Sequence, residues 1–395
     1  MPMSRRGFAK GAGAVAIVAA GGLVWRTWEQ GVLAAGAGAA YEPWTTWRSD
    51  VGAGPLGLVR AGILAANPHN TQPWRFRVSA ARVELYADTA RNLGSFDPYL
   101  REMHIGLGCA VENMARAAAA YGYQAVVTES PGALGPPPSP PRPEPVAALD
   151  LSGARARPDA LFDAIPHRHT NRGAYDGARP VPPETIEAMW AVFQTDEDVR
   201  LFLFSAPDER KKFGDAVVSA TEAIIADGPM VQDSHRWFRH RRADVQRLRD
   251  GLTLDAAGLG PLVVAAAKVL PEPSPETSHR YWLDATRDVQ VATTPLFGLI
   301  AVRDLYDRRQ TLRAGQRWQR LHLMATARGL AMQPINQPVE LVDREHELGR
   351  EPRAARTLAA LTGEEEWRPT FAFRVGFAMR NAAPSPRRPV EAVLL

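Results

Sequence analysis

The feature that most constrains the fold is a stretch of sequence that occurs twice. Residues 115–127 (ARAAAAYGYQAVV) and residues 322–334 (HLMATARGLAMQP) each end an alanine-rich helical pattern with a glycine, Gly122 or Gly329, and then lead into a strand. A repeat of this kind is normally one supersecondary unit used twice. It predicts two related halves in one chain. Chance similarity between two helices of an alanine-rich protein is the alternative that so short a match leaves open.

The composition is that of an ordinary globular protein. The chain has 395 residues, of which 45% are apolar and 23% charged, enough for two ordinary domain cores. The formal net charge is +4, and most of it comes from residues 1–40. The remaining sequence therefore lacks the basic surface expected of a nucleic-acid-binding protein. The single cysteine, Cys109, excludes an intramolecular disulfide. We interpret it as a small buried hydrophobe.

The N-terminus has the pattern of an export signal. The segment SRRGFAK (4–10) precedes the apolar run GAGAVAIVAAGGLVW (11–25), and small residues near Ala37 or Ala39 offer a cleavage site. We predict that residues 1–40 are a signal peptide for the twin-arginine translocase and that the protein is exported, to a periplasmic or other extracytoplasmic location. The alternative is an uncleaved membrane anchor, although the run is short for a spanning helix and is interrupted by glycines.

Residues 41–130 read as the first half of the mature chain. The segment LGLVRAGILAA (56–66) has the apolar spacing of a helix, and WRFRVSAARVELYAD (74–88) alternates like a hairpin or two strands. Residues 103–123 predict a long helix, which QAVVTE (124–129) follows as a strand.

A proline-rich stretch divides the two halves. Residues 131–145, PGALGPPPSPPRPEP, predict neither a helix nor a central strand, so we interpret residues 131–160 as an extended surface connector. Residues 161–395 form the second half, with buried strands such as TFAFRVGFAM (370–379). Within this half, residues 228–290 are basic and less clearly patterned.

Two further sequence patterns resemble known motifs but have simpler explanations. The segment GAGPLG (52–57) matches G-x-G-x-x-G, but no strand precedes it and Pro55 lies inside it, so a dinucleotide-binding fold is not predicted. His167 and His169 could suggest a metal pair. No further ligand follows at metal-binding spacing, and no metal site is predicted.

Four segments together resemble the flavin-dependent nitroreductases. The segment LAANPHNTQPWRFRV (64–78) resembles the family's A-P-S-x-x-N-x-Q-P-W-x-F pattern, with Asn67 at the usual proline position, and residues 168–186 (RHTNRGAYDGARPVPPETI) resemble its arginine-rich opening. Residues 325–335 (ATARGLAMQPI) resemble its late helix, and residues 373–394 (FRVGFAMRNAAPSPRRPVEAVL) resemble its C-terminal tail.

The order of these segments resembles the Acg subgroup, in which one chain is a fused duplication that imitates the family dimer. In ordinary members the arginine-rich opening comes first, whereas here it begins the second half. The resemblance implies an α+β nitroreductase-like fold, internally duplicated as a pseudo-dimer, with central antiparallel or mixed sheets flanked by helices. It also implies a monomer and a single FMN site at the interface of the halves.

The resemblance implies which residues bind FMN. On the phosphate side it assigns Arg168 with Arg387 or Arg388 to the phosphate, His169 and Thr170 to the ribityl chain and phosphate, and Arg172 to the pyrimidine. On the isoalloxazine side it assigns Pro68, His69, Asn70 and Gln72. The turn formed by Pro334, Ile335 and Asn336, which follows Gln333, would present backbone amides to the flavin N5.

The implied reaction is ping-pong electron transfer. A small-molecule donor reduces FMN, and the flavin passes two electrons through N5 to a nitroaromatic, a quinone or a similar acceptor, without an essential side-chain acid or base. The sequence identifies neither donor nor acceptor, since export would remove the chain from the NAD(P)H pool. Residues 228–290 are a possible lid. The alternatives are a flavin-binding or sequestering protein with little turnover, and an exported interaction module that retains only the fold.

Overall fold

The computed structural model of the chain describes residues 25–48 and 54–395. The predicted twin-arginine motif and most of the apolar run lie outside the described residues. The α-helices are α1 (Pro43–Thr46), α2 (Leu56–Gly62), α3 (Arg101–Ala120), α4 (Ala160–Ala164), α5 (Pro183–Ala191), α6 (Pro207–Ala226), α7 (Gly228–His235), α8 (Arg242–Leu248), α9 (Pro261–Val269), α10 (Pro275–Asp284), α11 (Arg308–Ala327), α12 (Gln337–Glu347) and α13 (Arg353–Thr362). A π-helical segment, Ala285–Val291, continues α10.

The β-strands are β1 (Trp74–Ser79), β2 (Arg82–Asp88), β3 (Tyr123–Glu129), β4 (Pro143–Gly153), β5 (Val199–Phe204), β6 (Phe238–Arg239), β7 (Leu252–Thr253), β8 (Leu296–Val302), β9 (Ala331–Pro334) and β10 (Arg368–Gly376). Two four-stranded antiparallel sheets have the orders β1-β2-β4-β3 and β5-β8-β10-β9. Strands β6 and β7 form a small parallel pair.

The two large sheets are built by the same sequence of elements. In each half, two neighbouring strands precede a helix of 20 residues, and two more strands follow it. The second half differs by an insertion between β5 and β8, which carries α6 to α10. The glycines that follow the two long helices, Gly122 and Gly329, both have positive φ, 82° and 72°. The fold is therefore α+β with an internal repeat, as the recurring sequence predicted.

The long helices α3 and α11 cross at the centre of the molecule with their backbones in contact. A Cβ atom on Gly108 would lie 2.0 Å from the Leu312 carbonyl oxygen, and one on Gly315 would lie 2.0 Å from the Ile105 carbonyl oxygen. The sequence separation between Gly108 and Gly315 is the same as that between Ile105 and Leu312. The two contacts are therefore related by an approximate twofold axis through the crossing.

One predicted boundary is wrong. Residues 143–153, interpreted as part of the surface connector, form the central strand β4, which pairs with both β2 and β3. The prolines are tolerated because Pro143 and Pro145 lie at the beginning of the strand, where the pairing with β2 shifts register. The apolar residues that follow are buried, and the first half therefore closes at Gly153 instead of residue 130.

A group of buried acids lies where α3 begins and packs against α12. Asn336 donates to Glu102 at 2.7 Å, and Glu102 also contacts Glu340. Burial, followed by the negative charge of Asp97, raises the pKa of Glu102 to about 8. Burial, followed by the charge of Glu102, raises the pKa of Glu340 well above its ordinary value. The fold therefore favours protonated carboxyl groups at this position.

The helix crossing leads to a prediction about the size of the side chain that its two glycine positions tolerate. Gly108→Ala and Gly315→Ala should each lower the free energy of unfolding by about 1–3 kcal/mol or more, because the added methyl meets backbone that cannot move aside. Urea unfolding measures this. Gly228→Ala is the control: it lies in α7, a Cβ there meets nothing within 4 Å, and its effect should be neutral or slightly stabilising. Equal effects at all three glycines would contradict the close crossing.

The buried acids lead to a prediction about pH. Since the folded-state pKa of Glu102 is raised from 4.5 to about 8, the stability that the protonated acids provide is lost as the pH rises through that interval. Glu340→Gln should therefore raise the free energy of unfolding at the upper end of this interval by about 1–3 kcal/mol relative to the lower end. Urea titrations across the interval measure this, with the exposed Glu187→Gln as the control. A flat difference between variant and parent would disprove it.

Candidate functional site

The segment between α2 and β1 has an unusual backbone. His69, Asn70 and Gln72 have φ values of 45°, 55° and 52°, in the left-handed region that residues with a Cβ rarely occupy. Pro68 begins the 3₁₀ turn that contains the first two of them. Such conformations persist only where surrounding contacts hold them, and they are frequent at functional sites.

Asn70 uses its whole side-chain amide. Its Nδ2 donates to the carbonyl oxygens of Gly251 at 3.1 Å and Pro386 at 2.9 Å, and its Oδ1 accepts from the Arg387 guanidinium. Gly251 in turn donates its backbone N–H to the Asn70 carbonyl at 3.0 Å. Asn70 therefore joins the C-terminal tail to the segment that follows α8.

Gln72 makes the same kind of connection. Its Nε2 donates to the Arg249 carbonyl at 2.7 Å, and its Oε1 accepts from the Arg388 backbone N–H at 2.8 Å. Its own backbone N–H donates to Asn67 Oδ1 at 2.7 Å. The assignment of Asn70 and Gln72 to a flavin ring stays a prediction. Both amides are taken up by protein groups that are distant in sequence, which no local pattern reveals.

Several predicted residues do come together in one small, mostly polar cleft beside this segment. The cleft is lined by Trp44, Ala66, Asn67, Asn70, Arg168, His169, Thr170, Arg172, Leu252, Ser385 and Arg387. The arginine-rich opening and the tail thus meet the Asn-Gln-Pro-Trp segment, as the resemblance implied.

Two arginines in the cleft are buried without a carboxylate partner. Arg168 is 2% exposed, donates through Nη2 to the Leu64 carbonyl at 3.1 Å, and leaves Nε and Nη1 without a partner. Arg387 is equally buried, donates through Nη2 to the Ala65 carbonyl at 3.1 Å, and leaves Nε without one. Within residues 25–48 and 54–395, neither forms an ion pair. Unpaired buried charges are costly, and they are therefore the clearest sign of a missing anion.

The electrostatics of the cleft agree with this interpretation. Burial lowers the pKa of Arg168 to about 10. Burial, followed by repulsion from Arg168, lowers the pKa of Arg387 well below its usual value. Burial, with Arg168 and Arg387 next, lowers the pKa of His169 to about 3. Burial also lowers the pKa of Arg172 to about 10. An anion such as a phosphate group would offset this accumulation of donors and charge.

The remaining predicted residues lie around the cleft at different depths. His69 is beside Ser234, with 2.9 Å between Nε2 and Oγ, and burial followed by Arg172 lowers its pKa to about 4. Pro68 packs on α3, where a Cβ on Gly106 would lie 2.8 Å from its Cδ. Arg388 donates to the Ala392 carbonyl at 2.6 Å and does not line the cleft. Of the two tail arginines, Arg387 is therefore the one placed at the site.

The turn at residues 334–336 does not reach the cleft. The Ile335 backbone N–H donates to the Ala372 carbonyl at 2.9 Å, and the Ile335 side chain is 1% exposed in the core. Asn336 accepts from the Ala372 N–H and donates to Glu102, which leaves its side chain fully used. The structure therefore does not bring Pro334, Ile335 and Asn336 together with the other predicted residues in the cleft. Strand β10 takes the hydrogen bonds that the resemblance assigned to a cofactor.

Residues at the cleft that the sequence did not identify individually come from α1 and from the stretch 228–290, which was interpreted as a possible lid. Arg172 donates to the Ala256 carbonyl at 3.1 Å, and a Cβ on Gly258 would lie 2.4 Å from the Arg172 carbonyl carbon. Leu252 lines the cleft from the same segment. On the other side, the Trp44 ring lies under the Arg387 guanidinium at 4.7 Å. No motif marks Trp44, since its role depends on a tail that lies at the far end of the chain.

The described residues offer no metal site and no membrane span. Within them, no group of three or more His, Cys, Asp or Glu side chains is placed to hold a metal ion. In the same ranges, no helix combines the length and the apolar character needed to cross a membrane.

Comparison with known proteins shows the family. No protein-family model matches this chain. Two Mycobacterium tuberculosis proteins, named as the NAD(P)H nitroreductases Rv3131 (strain H37Rv) and MT3217 (strain CDC 1551 / Oshkosh), are each 30% identical over 346 residues, which are 84% of this chain and 87% of the relative. The chain belongs to the nitroreductase family.

Solved structures with similarity to this nitroreductase-family chain come from several bacteria. The FMN-dependent nitroreductase NfnB from Mycobacterium smegmatis, in complex with NADPH, is 18% identical with a TM-score of 0.38, over 59% of this chain and 96% of that one. The FMN- and NADPH-dependent NfnB from Sphigopyxis sp. strain HMH is 16% identical with a TM-score of 0.37, over 59% and 96%.

The corner formed by residues 67–73, with its left-handed backbone, leads to a test that separates the contribution of the Asn70 side chain from that of the backbone conformation. Asn70→Ala should lower the free energy of unfolding by about 1–3 kcal/mol, because it removes hydrogen bonds that satisfy buried groups. Asn70→Gly removes the same bonds but suits the left-handed backbone. It should therefore be less destabilising than Asn70→Ala by about 1 kcal/mol. Urea unfolding measures both. If the glycine variant were no more stable than the alanine variant, the backbone at this corner would not be held as described.

Proposed function

We propose that this nitroreductase-family protein binds FMN and acts as an oxidoreductase that reduces a nitroaromatic, a quinone or a similar acceptor. The observation that carries the proposal is the group of buried, unpaired cations in the cleft, centred on Arg168 and Arg387. FMN requires cations for its phosphate. The relatives from Mycobacterium tuberculosis are named for NAD(P)H, and a reduced nicotinamide is therefore the donor to test first.

The residues of the cleft divide the work of holding such a cofactor. Arg168 and Arg387 would bind the phosphate through their free N–H groups, and His169 and Thr170, which line the same cleft, would bind the ribityl chain. Residues 251–258 are the covering segment of the cleft. Arg172 supplies a positive charge beneath this segment, where it would favour a reduced anionic ring. When bound, FMN supplies two-electron transfer at its N5. Asn70 is a positioning residue, because its Oδ1 holds the Arg387 guanidinium.

We also propose that the chain is an Acg-like fusion with one cofactor site, acting as a monomer. The two corners that precede the matching strands β1 and β5 support this. The first corner carries the amides Asn70 and Gln72. The second carries Asp196, which pairs with Arg317 at 3.1 Å, and Asp198, which pairs with Arg313 at 3.3 Å. The second corner thus carries ion-paired carboxylates in place of the amides of the first. A folded preparation with two flavins per polypeptide would disprove a single site.

The export pathway is part of the same proposal. The paired Arg5 and Arg6, followed by an apolar run, support delivery by the twin-arginine translocase to an extracytoplasmic location. Such export carries folded proteins, which suits a chain that acquires a cofactor before it leaves the cytoplasm. Substitution of both arginines by lysine should leave the protein in the cytoplasm, as cell fractionation would show.

Two variants test the cleft, and each is expected to weaken FMN binding while raising the free energy of unfolding of the FMN-free protein. Arg168→Met and Arg387→Met should weaken FMN binding by roughly 10- to 100-fold, since each removes charge-assisted hydrogen bonds to the phosphate. In FMN-free protein the same variants should raise the free energy of unfolding, because each removes a buried charge without a partner. The flavin spectrum and fluorescence titration measure the first, and urea unfolding measures the second.

The matched control is Arg303→Met. Arg303 stacks on Trp367 at 3.8 Å and pairs loosely with Glu366 at 3.7 Å, away from the cleft. It should leave FMN binding unchanged. If Arg168→Met and Arg387→Met bound FMN as well as the parent protein, the phosphate assignment would fail.

One observation favours the second candidate, a flavin-sequestering protein with little turnover. The covering segment closes on the cleft through the Gly251 bond to Asn70 and the Ala256 bond to Arg172. Reduction of bound FMN by NADPH or dithionite, followed by reoxidation with menadione, separates the two candidates. Stoichiometric FMN that menadione cannot reoxidise would reject the reductase and leave sequestration.

A further inference from the structure

Helix α9 is apolar, is exposed at its first turn and has no buried residue. Its sequence, PLVVAAAKV, contains one charged residue, Lys268, and none of its nine residues is buried. Leu262 is 87% exposed and Val263 is 54% exposed, and Leu270 directly after the helix is 57% exposed. Soluble helices normally bury their apolar stripe, so an apolar helix without a buried residue indicates a surface that meets something else.

A second exposed apolar group lies next to α9. Trp25 and Trp28 are 62% and 75% exposed, with 5.5 Å between their ring centroids, and Leu33 is 96% exposed. The ammonium group of Lys268 donates to the Gly31 carbonyl at 3.3 Å, which joins this segment to the end of α9. The two apolar groups are therefore neighbours on one region of the surface.

The sequence leading into Trp25 indicates the chemistry of the partner. From Gly11 to Val24 it is uncharged and mostly apolar, and the basic residues Arg5, Arg6 and Lys10 precede this run. Tryptophans at the end of an apolar run are typical of the boundary between membrane and water. Basic residues beside an apolar surface complement anionic lipid headgroups.

The segment that would contain a cleavage site is itself held by the fold. Arg242 of α8 donates to the Ala34 carbonyl at 3.1 Å, and Gln246 donates to the Ala37 carbonyl at 2.9 Å. Gln246 also accepts from the Ala40 N–H at 3.1 Å. A peptide that is bound in this way is a poor substrate for a processing protease, and this favours the uncleaved form of the N-terminus.

We propose that α9 and residues 25–33 form a surface that docks on an anionic lipid bilayer. With a rise of about 1.5 Å per residue, α9 is far too short to span a bilayer, and it would lie in the interfacial plane. Ala256 and Gly258, which contact Arg172 over the cleft, lie a few residues before α9 in the chain. The proposed docking surface is therefore continuous in sequence with the segment that covers the cleft. The proposal does not depend on the identity of the cofactor.

The experiment uses the full chain with a single reactive thiol. Native Cys109 is 1% exposed, and burial raises the pKa of its thiol, so it stays unlabelled. Leu262→Cys carries an environment-sensitive fluorophore, and Val126→Cys, on β3 and 57% exposed, carries the same fluorophore as the matched control. Far-UV circular dichroism verifies that both are folded. Vesicles of phosphatidylglycerol and phosphatidylethanolamine with doxyl-labelled lipid are then added.

The expected result is quenching at position 262 by at least about twofold, with position 126 unchanged. Equal quenching at both positions, vesicle binding without quenching at 262, or no vesicle binding would overturn the proposal. A blue-shifted probe at 262 before vesicles are added would also overturn it. If the blue shift depends on protein concentration, a second copy of the chain covers α9. If the blue shift is independent of protein concentration, the chain's own N-terminus covers α9. Intact mass showing that the cellular protein begins after Ala37 would exclude residues 25–33.

Discussion

The architecture depends on the contact between α3 and α11, where Gly108 and Gly315 allow two helix backbones to touch. This contact fixes the distance and angle between the halves, and each half contributes one corner and one set of loops to the other. A methyl group at either glycine would separate the helices and, with them, the segments that meet in the cleft. The site is therefore positioned by a crossing that contains none of its residues.

The cleft shows the cost of preparing a site for an anion. Among the described residues, Arg168 and Arg387 are buried without a carboxylate partner, and they donate to the carbonyl oxygens of residues 64, 65 and 386. Backbone carbonyls orient a guanidinium without cancelling its charge. In the proposed function, these unpaired charges lower the stability of the free protein and raise its affinity for a negatively charged ligand. The strained left-handed residues of the adjacent corner belong to the same compromise.

The sequence was a good guide wherever the signal was local. The repeated helix ending at Gly122 and Gly329 predicted the two halves, and the cluster Arg168 to Arg172 aligned as a unit and lies in the cleft as a unit. It was a poor guide where a side chain has several possible partners. Asn70 and Gln72 carry amides that suit a flavin edge, but backbone groups distant in sequence bind them instead. Strand β4 was hidden because Pro143 and Pro145 resemble a linker, while its other residues pair on both sides.

The insertion between β5 and β8 has a consequence for how such a protein can change. In an assembly of two identical chains, any loop added above one site is necessarily added above the other, and any residue lost from one is lost from both. Here only the second half carries α6 to α10, and the two corners carry different side chains, amides at the first and ion-paired carboxylates at the second. A single polypeptide with two unequal halves can give up one site while elaborating the other, because each copy of the repeat accumulates substitutions independently.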